Sequence, residues 1–211
     1  MNIPKPLLVV STLIVLMIAA TTCLQTDQSE KIRTLSFDQE WLFIKGDPQG
    51  AETPEYDDSG WRKLDLPHDW SVEDLPGQGG DTVTGPFSKS SGGKMATGYT
   101  IGGTAWYRKH FTIEKPDLSK IVYLHFDGVY MNSDIWINGR HIGSHPYGYT
   151  SFYFDITPYL NPSGTANVVA VQVKNEGQNT RWYAGSGIYR HTWLTIADQV
   201  HIKPWGIYIP F

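Results

Sequence analysis

Cysteine is nearly absent. Cys23 stands alone among 211 residues, so no disulfide forms within the chain, and an exported domain of this sequence gains its stability from packing. Charge is sparse as well: Asp, Glu, Lys and Arg make up 18% of residues, with a formal net charge of −4. No Lys or Arg cluster is long enough to track a phosphate backbone, which excludes nucleic acid as a partner. From Arg33 onward almost no stretch has helical period. No HExxH, HxH or Cys/His spacing occurs among the seven histidines, so nothing marks a metal centre. Ser186 lies in Gly185-Ser186-Gly187, but a nucleophile elbow needs G-x-S-x-G between a strand and a helix, and neither condition is met.

What the chain has instead is aromatic side chains, at 13% with eight Trp and twelve Tyr. That is more than a modest core needs, leaving some for a surface that binds something flat and partly apolar. The N-terminus reads as an export signal: Lys5 supplies positive charge, residues 7–20 are apolar apart from Ser11 and Thr12, and Ala19-Ala20-Thr21-Thr22-Cys23 follows. A stretch of fourteen residues falls short of the roughly 20 that span a bilayer, which favours a cleaved peptide over a permanent helix. Residues 1–23 are therefore set apart as a signal, and 24–35 as a linker. Cys23 sits where a bacterial lipoprotein is acylated, although Thr22 is bulkier than the usual residue there. Acylation at Cys23 and cleavage near Ala20 are the two alternatives, so membrane contact is expected only through a signal or lipid anchor, and the destination is the periplasm or cell surface.

Short runs punctuated by Gly, Pro, Asn and Asp predict strands over residues 33–37, 41–44, 104–113, 121–126, 134–137, 140–143, 151–156, 168–173, 188–196 and 200–205. Their number and spacing fit a β-sandwich. Val169, Val171 and Val173 alternate with Ala170, Gln172 and Lys174, predicting one buried and one wetter face. Asn138-Gly139 between apolar runs predicts a hairpin with a type I′ turn. Residues 71–103 form a long irregular loop of the kind that is either functional or disordered, with 90–93 expected to be mobile. The run from Val200 to Ile209 reads as one extended strand without a partner, the expected opening of a further domain.

Asn179-Thr180-Arg181-Trp182-Tyr183-Ala184-Gly185 combines aromatic, cationic and glycine residues in a way that suits a sugar. Rings stack on pyranose C–H faces, a guanidinium forks donors onto hydroxyls, and glycines admit close backbone approach. Arg181, Trp182, Tyr183 and Asn179 are thus the candidate substrate contacts, against the alternative that the segment merely plugs the end of a sandwich. Pro67-His68-Asp69-Trp70 and Tyr99 are the further loop candidates; adjacent His68 and Asp69 side chains on extended chain diverge, which favours a turn over a paired acid/base unit. Asp57-Asp58 cannot easily flank a scissile bond, so an Asx turn with Trp61 as a core anchor is expected.

The chain resembles the N-terminal sugar-binding, jelly-roll domain of glycoside hydrolase family 2, the β-galactosidase family. The resemblance runs from about Phe37 to Trp205 through Tyr56-Asp57-Asp58-Ser59, residues 65–70, Trp106-Tyr107-Arg108-Lys109, Phe126-Asp127-Gly128-Val129-Tyr130, Trp136-Ile137-Asn138-Gly139, residues 147–152 and residues 181–190. It implies an all-β, galactose-binding-like sandwich over residues 36–198, with 199–211 opening an immunoglobulin-like domain. A (β/α)8 barrel carrying two catalytic glutamates follows in that family, and Glu52, Glu55, Glu73, Glu114 and Glu176 match neither of those motifs, so no catalytic residue is expected here. The loop before the last strand reaches the barrel's active-site mouth in that family. In better-known members it carries an acidic residue beside the sugar and a monovalent cation, a place that Arg181 takes here. No cofactor is evident; a monovalent or divalent cation in the parent enzyme stays open but unsupported. The expected partners are a carbohydrate, a β-galactoside or related β-glycoside, and the C-terminal domains of the same protein. A free-standing carbohydrate-binding module without catalysis is the alternative.

Overall fold

The computed structural model describes residues 32–73, 87–178 and 184–210. Among them ten strands form two antiparallel sheets. They are β1 (Arg33–Ser36), β2 (Trp41–Lys45), β3 (Arg62–Leu64), β4 (Gly103–Phe111), β5 (Ile121–Phe126), β6 (Ser133–Ile137), β7 (Arg140–His145), β8 (Phe152–Asp155), β9 (Asn167–Asn175) and β10 (Thr192–Ala197). A four-stranded sheet runs β1-β10-β5-β8 and a six-stranded sheet runs β3-β2-β4-β9-β6-β7. The all-β sandwich expected from the sequence is the observed architecture.

Period-two alternation builds the core. Trp41 and Phe43 of β2, Tyr107 of β4, Ile135 and Ile137 of β6, and Val169, Val171 and Val173 of β9 point inward, meeting Val122, Leu124 and Phe126 of β5 and Leu194 and Ile196 of β10. The β6–β7 hairpin turns at Asn138 (φ 50°) and Gly139 (φ 77°), the two left-handed residues that a type I′ turn demands.

Four expectations need correction. The outer face of β9 is not wet: Ala170 and Gln172 are buried because residues 47–61 fold over the six-stranded sheet, where Ala51, Trp61, Trp106 and Ala170 make a second apolar cluster. The last strand starts at Thr192 rather than Ile188, since Gly187 instead makes an isolated bridge to Tyr130. Residues 200–210 contain no strand. Lys203 to Gly206 close a turn, and Trp205 lies on the outer face of the four-stranded sheet against His125 and Tyr153, at ring-centroid distances of 5.4 and 5.0 Å. Residues 90–93 are pinned rather than loose, as Ser91 Oγ donates to Thr100 O and Lys94 N donates to Ser91 O. Strand β3, which carries only one aliphatic residue in three, had no periodic signal and forms by pairing with β2.

The second cluster encloses a charge. Arg108, fully buried on the outer face of β4, donates from Nε to Asp58 Oδ2 at 2.6 Å and from Nη1 to Thr53 O at 2.9 Å. Its guanidinium stands over the Tyr56 and Trp61 rings at 5.6 and 6.0 Å. Burial works to raise the Asp58 pKa, but hydrogen bonds from Arg108 and His110 outweigh it and hold the carboxyl below its ordinary range. Asp57 makes the expected Asx contact, accepting from Ser59 N at 3.1 Å, and Trp61 is the expected anchor. Asp58→Ala should cost about 3–5 kcal/mol in urea unfolding, because it leaves the guanidinium buried without its counter-charge. The double variant with Arg108→Met should recover part of that loss.

Candidate functional site

One end of the six-stranded sheet brings together His68, Asp69 and Trp70 of the residues singled out from the sequence. The chain enters β4 there at Gly103 and leaves β9 at Asn175, so the segment around 176–186 springs from this end. Asp69, in extended conformation, caps a single 3-10 turn over Trp70–Val72 and accepts from Ser71 N at 2.9 Å. The same oxygen accepts from Ser186 N at 2.7 Å. Two backbone hydrogen bonds lie alongside, from Trp70 N to Ser186 O at 3.0 Å and from His68 N to Ile188 O at 2.8 Å.

Small polar side chains fill the space behind this seam. Ser71 Oγ lies 2.6 Å from Ile101 O and 2.7 Å from Ser186 Oγ, and Asn175 Nδ2 donates to Ser186 Oγ at 2.7 Å. Ser71 and Ser186 are fully buried, and Trp70, equally buried, donates from Nε1 to Gly102 O at 3.2 Å. A Cβ on Gly185 would overlap the Asp69 carboxylate, so only glycine lets the chain pass this close. Both flanks of residues 179–183 are thus fastened to one buried cluster, Asn175 on one side and Gly185 and Ser186 on the other.

His68 and Asp69 diverge. The His68 ring packs edge-on to Phe43 with centroids 4.6 Å apart, and its Nδ1 is 2.7 Å from Tyr107 Oη. Its Nε2 lies 3.0 Å from Glu73 Oε2 but off the ring N–H direction, an ion-pair distance without hydrogen-bond alignment. Burial pushes the His68 pKa below its ordinary value despite the opposing Glu73 carboxylate, which favours the neutral imidazole. Hydrogen bonds from Arg62, at 2.7 Å to each oxygen, hold Glu73 at about 2 against its partial desolvation. Burial raises the Tyr107 phenol well above its usual value, so it keeps its proton. With His68 enclosed, this pair supports the loop from inside the core and does not present an acid or base to a ligand. Lys45 sits 5.8 Å over the Trp70 ring, and burial brings its pKa down to about 8.

His68, Asp69 and Trp70 are therefore brought together beneath the flanks of the 179–183 segment. Tyr99 belongs to a separate turn: it has φ 62°, is 40% exposed, and pairs through its backbone with Lys94 and Ser88. Asn179, Arg181, Trp182, Tyr183 and Cys23 lie outside the described residues. Ser71, Asn175 and Ser186 were not foreseen, because a buried hydroxyl cluster leaves no periodic trace; the glycines around Ser186 were the one available sign. Among the described residues no group of three His, Cys, Asp or Glu side chains converges as metal ligands do.

Residues 55–199 match the family model described as glycosyl hydrolases family 2, sugar binding domain. The chain belongs to glycosyl hydrolase family 2, as its sugar-binding domain. It is 45% identical over 174 residues to beta-galactosidase BoGH2A of Bacteroides ovatus, covering 82% of this chain and 19% of that protein. A beta-glucuronidase of Formosa agariphila is 33% identical over 188 residues, covering 82% and 18%. A solved family 2 member from Bacteroides cellulosilyticus superposes with a TM-score of 0.73 at 52% identity, covering 79% of this chain and 21% of that one. The chain thus spans about a fifth of the length of the relatives it matches.

Burial also lowers the pKa of His125 and His145, so three histidines of this sugar-binding domain are held toward the neutral form. The unfolded chain binds their protons more readily, so stability is full above about pH 6.5 and falls as pH drops below it. Urea midpoints measured from pH 7.5 down to 5.5 should fall accordingly. His68→Gln, which keeps a polar group near Tyr107, should flatten that slope by up to about 1.4 kcal/mol per pH unit.

Proposed function

We propose that this sugar-binding domain is the N-terminal part of an exported, β-galactosidase-like glycoside hydrolase. In this reading it supports the substrate site of a catalytic domain contributed by the rest of the protein. The observation that carries it is the buried seam of Asp69, Ser71, Asn175 and Ser186, which fastens both flanks of residues 179–183 at one sheet end. Flanks held by buried hydrogen bonds provide the fixed base that substrate positioning requires, and Arg181, Trp182 and Tyr183 are the residues to which the reading gives the sugar contacts. Hydrolysis itself falls to two carboxyl groups elsewhere in the parent protein, since the buried His68–Tyr107 pair has no access to a glycosidic bond. Names of relatives that include both beta-galactosidase and beta-glucuronidase support a β-glycoside as substrate. No cofactor enters this reading.

The reading is tested in the full-length protein with Arg181→Ala. Loss of a guanidinium hydrogen bond worth about 1.5–3 kcal/mol should reduce kcat/KM on nitrophenyl β-galactoside by about tenfold or more, with little change in Tm. Unchanged kinetics on both nitrophenyl β-galactoside and nitrophenyl β-glucuronide would return the segment to a purely structural role.

Export and anchoring form part of the same proposal. The Lys5 charge, the apolar run over 7–20 and Cys23 support a signal whose cysteine takes a lipid. Labelling cells with a fatty-acid analogue should then mark the protein, and Cys23→Ser should abolish both the label and membrane fractionation. A soluble product cleaved near Ala20 would remove the anchor and keep only export.

A further inference from the structure

A second aromatic surface lies beside the seam, built wholly from described residues and used by nothing above. The chain leaving the seam pairs Gly187 with Tyr130 through two backbone hydrogen bonds of 2.9 Å. Two residues on, Tyr189 Oη donates to Gly148 O at 2.9 Å and so fixes the loop between β7 and β8. That loop carries Tyr147 and Tyr149, which are 57% and 54% exposed, large fractions for rings held this firmly. Tyr149 stands edge-on to the buried Tyr130 at 5.3 Å and to Tyr147 at 5.6 Å. Arg190 is exposed next to Tyr189, and the two side chains border Gly128 together.

The composition of this surface narrows what fits it. It contains phenol rings and one guanidinium, so it offers flat apolar faces, hydroxyl tips and a fork of donors side by side. An apolar partner would strip water from those hydroxyls and from the guanidinium, at a desolvation cost. A pyranose chain answers each feature: C–H faces for the rings, and vicinal hydroxyls for the guanidinium and phenols. The edge contact of Tyr149 with Tyr130, and of Tyr147 with Tyr149, orders the rings before any ligand arrives, which reduces the ordering cost of binding.

We propose that Tyr147, Tyr149 and Arg190 form a carbohydrate-stacking platform, distinct from the 179–183 segment, that takes a β-linked oligosaccharide through at least two successive sugar rings. The platform lets the domain hold a glycan chain whether or not catalysis occurs nearby, and it rests on this chain alone.

The test titrates the purified chain with β-1,4-galactotetraose and with galactose by calorimetry. The tetraose should bind in the micromolar to millimolar range and more tightly than the monosaccharide, since two rings stack where one did. Tyr147→Ala with Tyr149→Ala should weaken the tetraose by about tenfold or more, and Arg190→Ala by less, while Tyr149→Phe should stay within about twofold of the parent. In the unaltered chain, bound tetraose should protect Tyr147 and Tyr149 from nitration, a readout independent of how the variants fold. Absence of tetraose binding, affinity unchanged in the double variant, or nitration indifferent to the sugar would each overturn the platform. Concentration-dependent self-association abolished by Tyr149→Ala, without sugar binding, would identify the surface as a protein interface and equally refute it. None of these results bears on Arg181 kinetics in the full-length protein, so the two readings fail separately.

Discussion

The Asp69 carboxylate accepts from Ser71 N and Ser186 N with a single oxygen, and the arrangement of the sheet end depends on it. Both donors are main-chain groups of fully buried serines, so removing the acceptor would strand two N–H groups away from water, each at roughly 1–3 kcal/mol. The hydrogen bonds from Trp70 N and His68 N then align two otherwise irregular stretches as if they were strands. Ser71, Ser186 and Asn175 complete the satisfaction of the interior, and Gly185 is the residue that admits the carboxylate. Four segments distant in sequence, around 69, 101, 175 and 186, meet at this point.

A second constraint is that the six-stranded sheet is covered on both faces. The inner face packs on the other sheet, as in any sandwich. Covering the outer face with residues 47–61 buries Trp106, Ala170 and Gln172 and draws in Arg108, whose buried charge is compensated by Asp58 and a flanking carbonyl. Asp47 does the same at the rim, accepting from Trp106 Nε1 at 2.8 Å and Gln172 Nε2 at 2.6 Å. Arg108 and Gln172 on this face are therefore buried with carboxylate partners, Asp58 and Asp47, where alternation alone suggested water.

Rigidity at the loop end has a functional logic. Neutral His68, protonated Tyr107 and ionised Glu73 each have a charge state fixed by burial or by a partner, so the base of the loop does not retitrate as ligands come and go. Exposed Tyr147 and Tyr149 lie on the loop between β7 and β8, which the Tyr189 hydrogen bond to Gly148 O ties to the chain just beyond Ser186. In a domain organised in this way the sheets supply fixed positions for the loops at their ends.

Local rules were enough for much of this protein. Short runs punctuated by Gly, Pro, Asn and Asp located nine of the strands to within a few residues, Asn138-Gly139 determined the hairpin, and ordered aromatic and glycine motifs carried the family. Those features are encoded within a few neighbouring residues, so the sequence by itself determined them. What only the tertiary structure decided depends on residues far apart in the chain. Strand β3 exists because β2 offers it an edge, and Ala170 and Gln172 are dry because residues 47–61 lie over them. Residues 200–210, apolar enough to read as a strand, find no ladder partner among the described residues and instead lay Trp205 on Tyr153. His68 and Asp69 read as a turn and Ser186 as no nucleophile, because one-dimensional patterns do not show which buried donor meets which acceptor; folding brought Asp69 and Ser186 into one hydrogen-bonded seam beside His68.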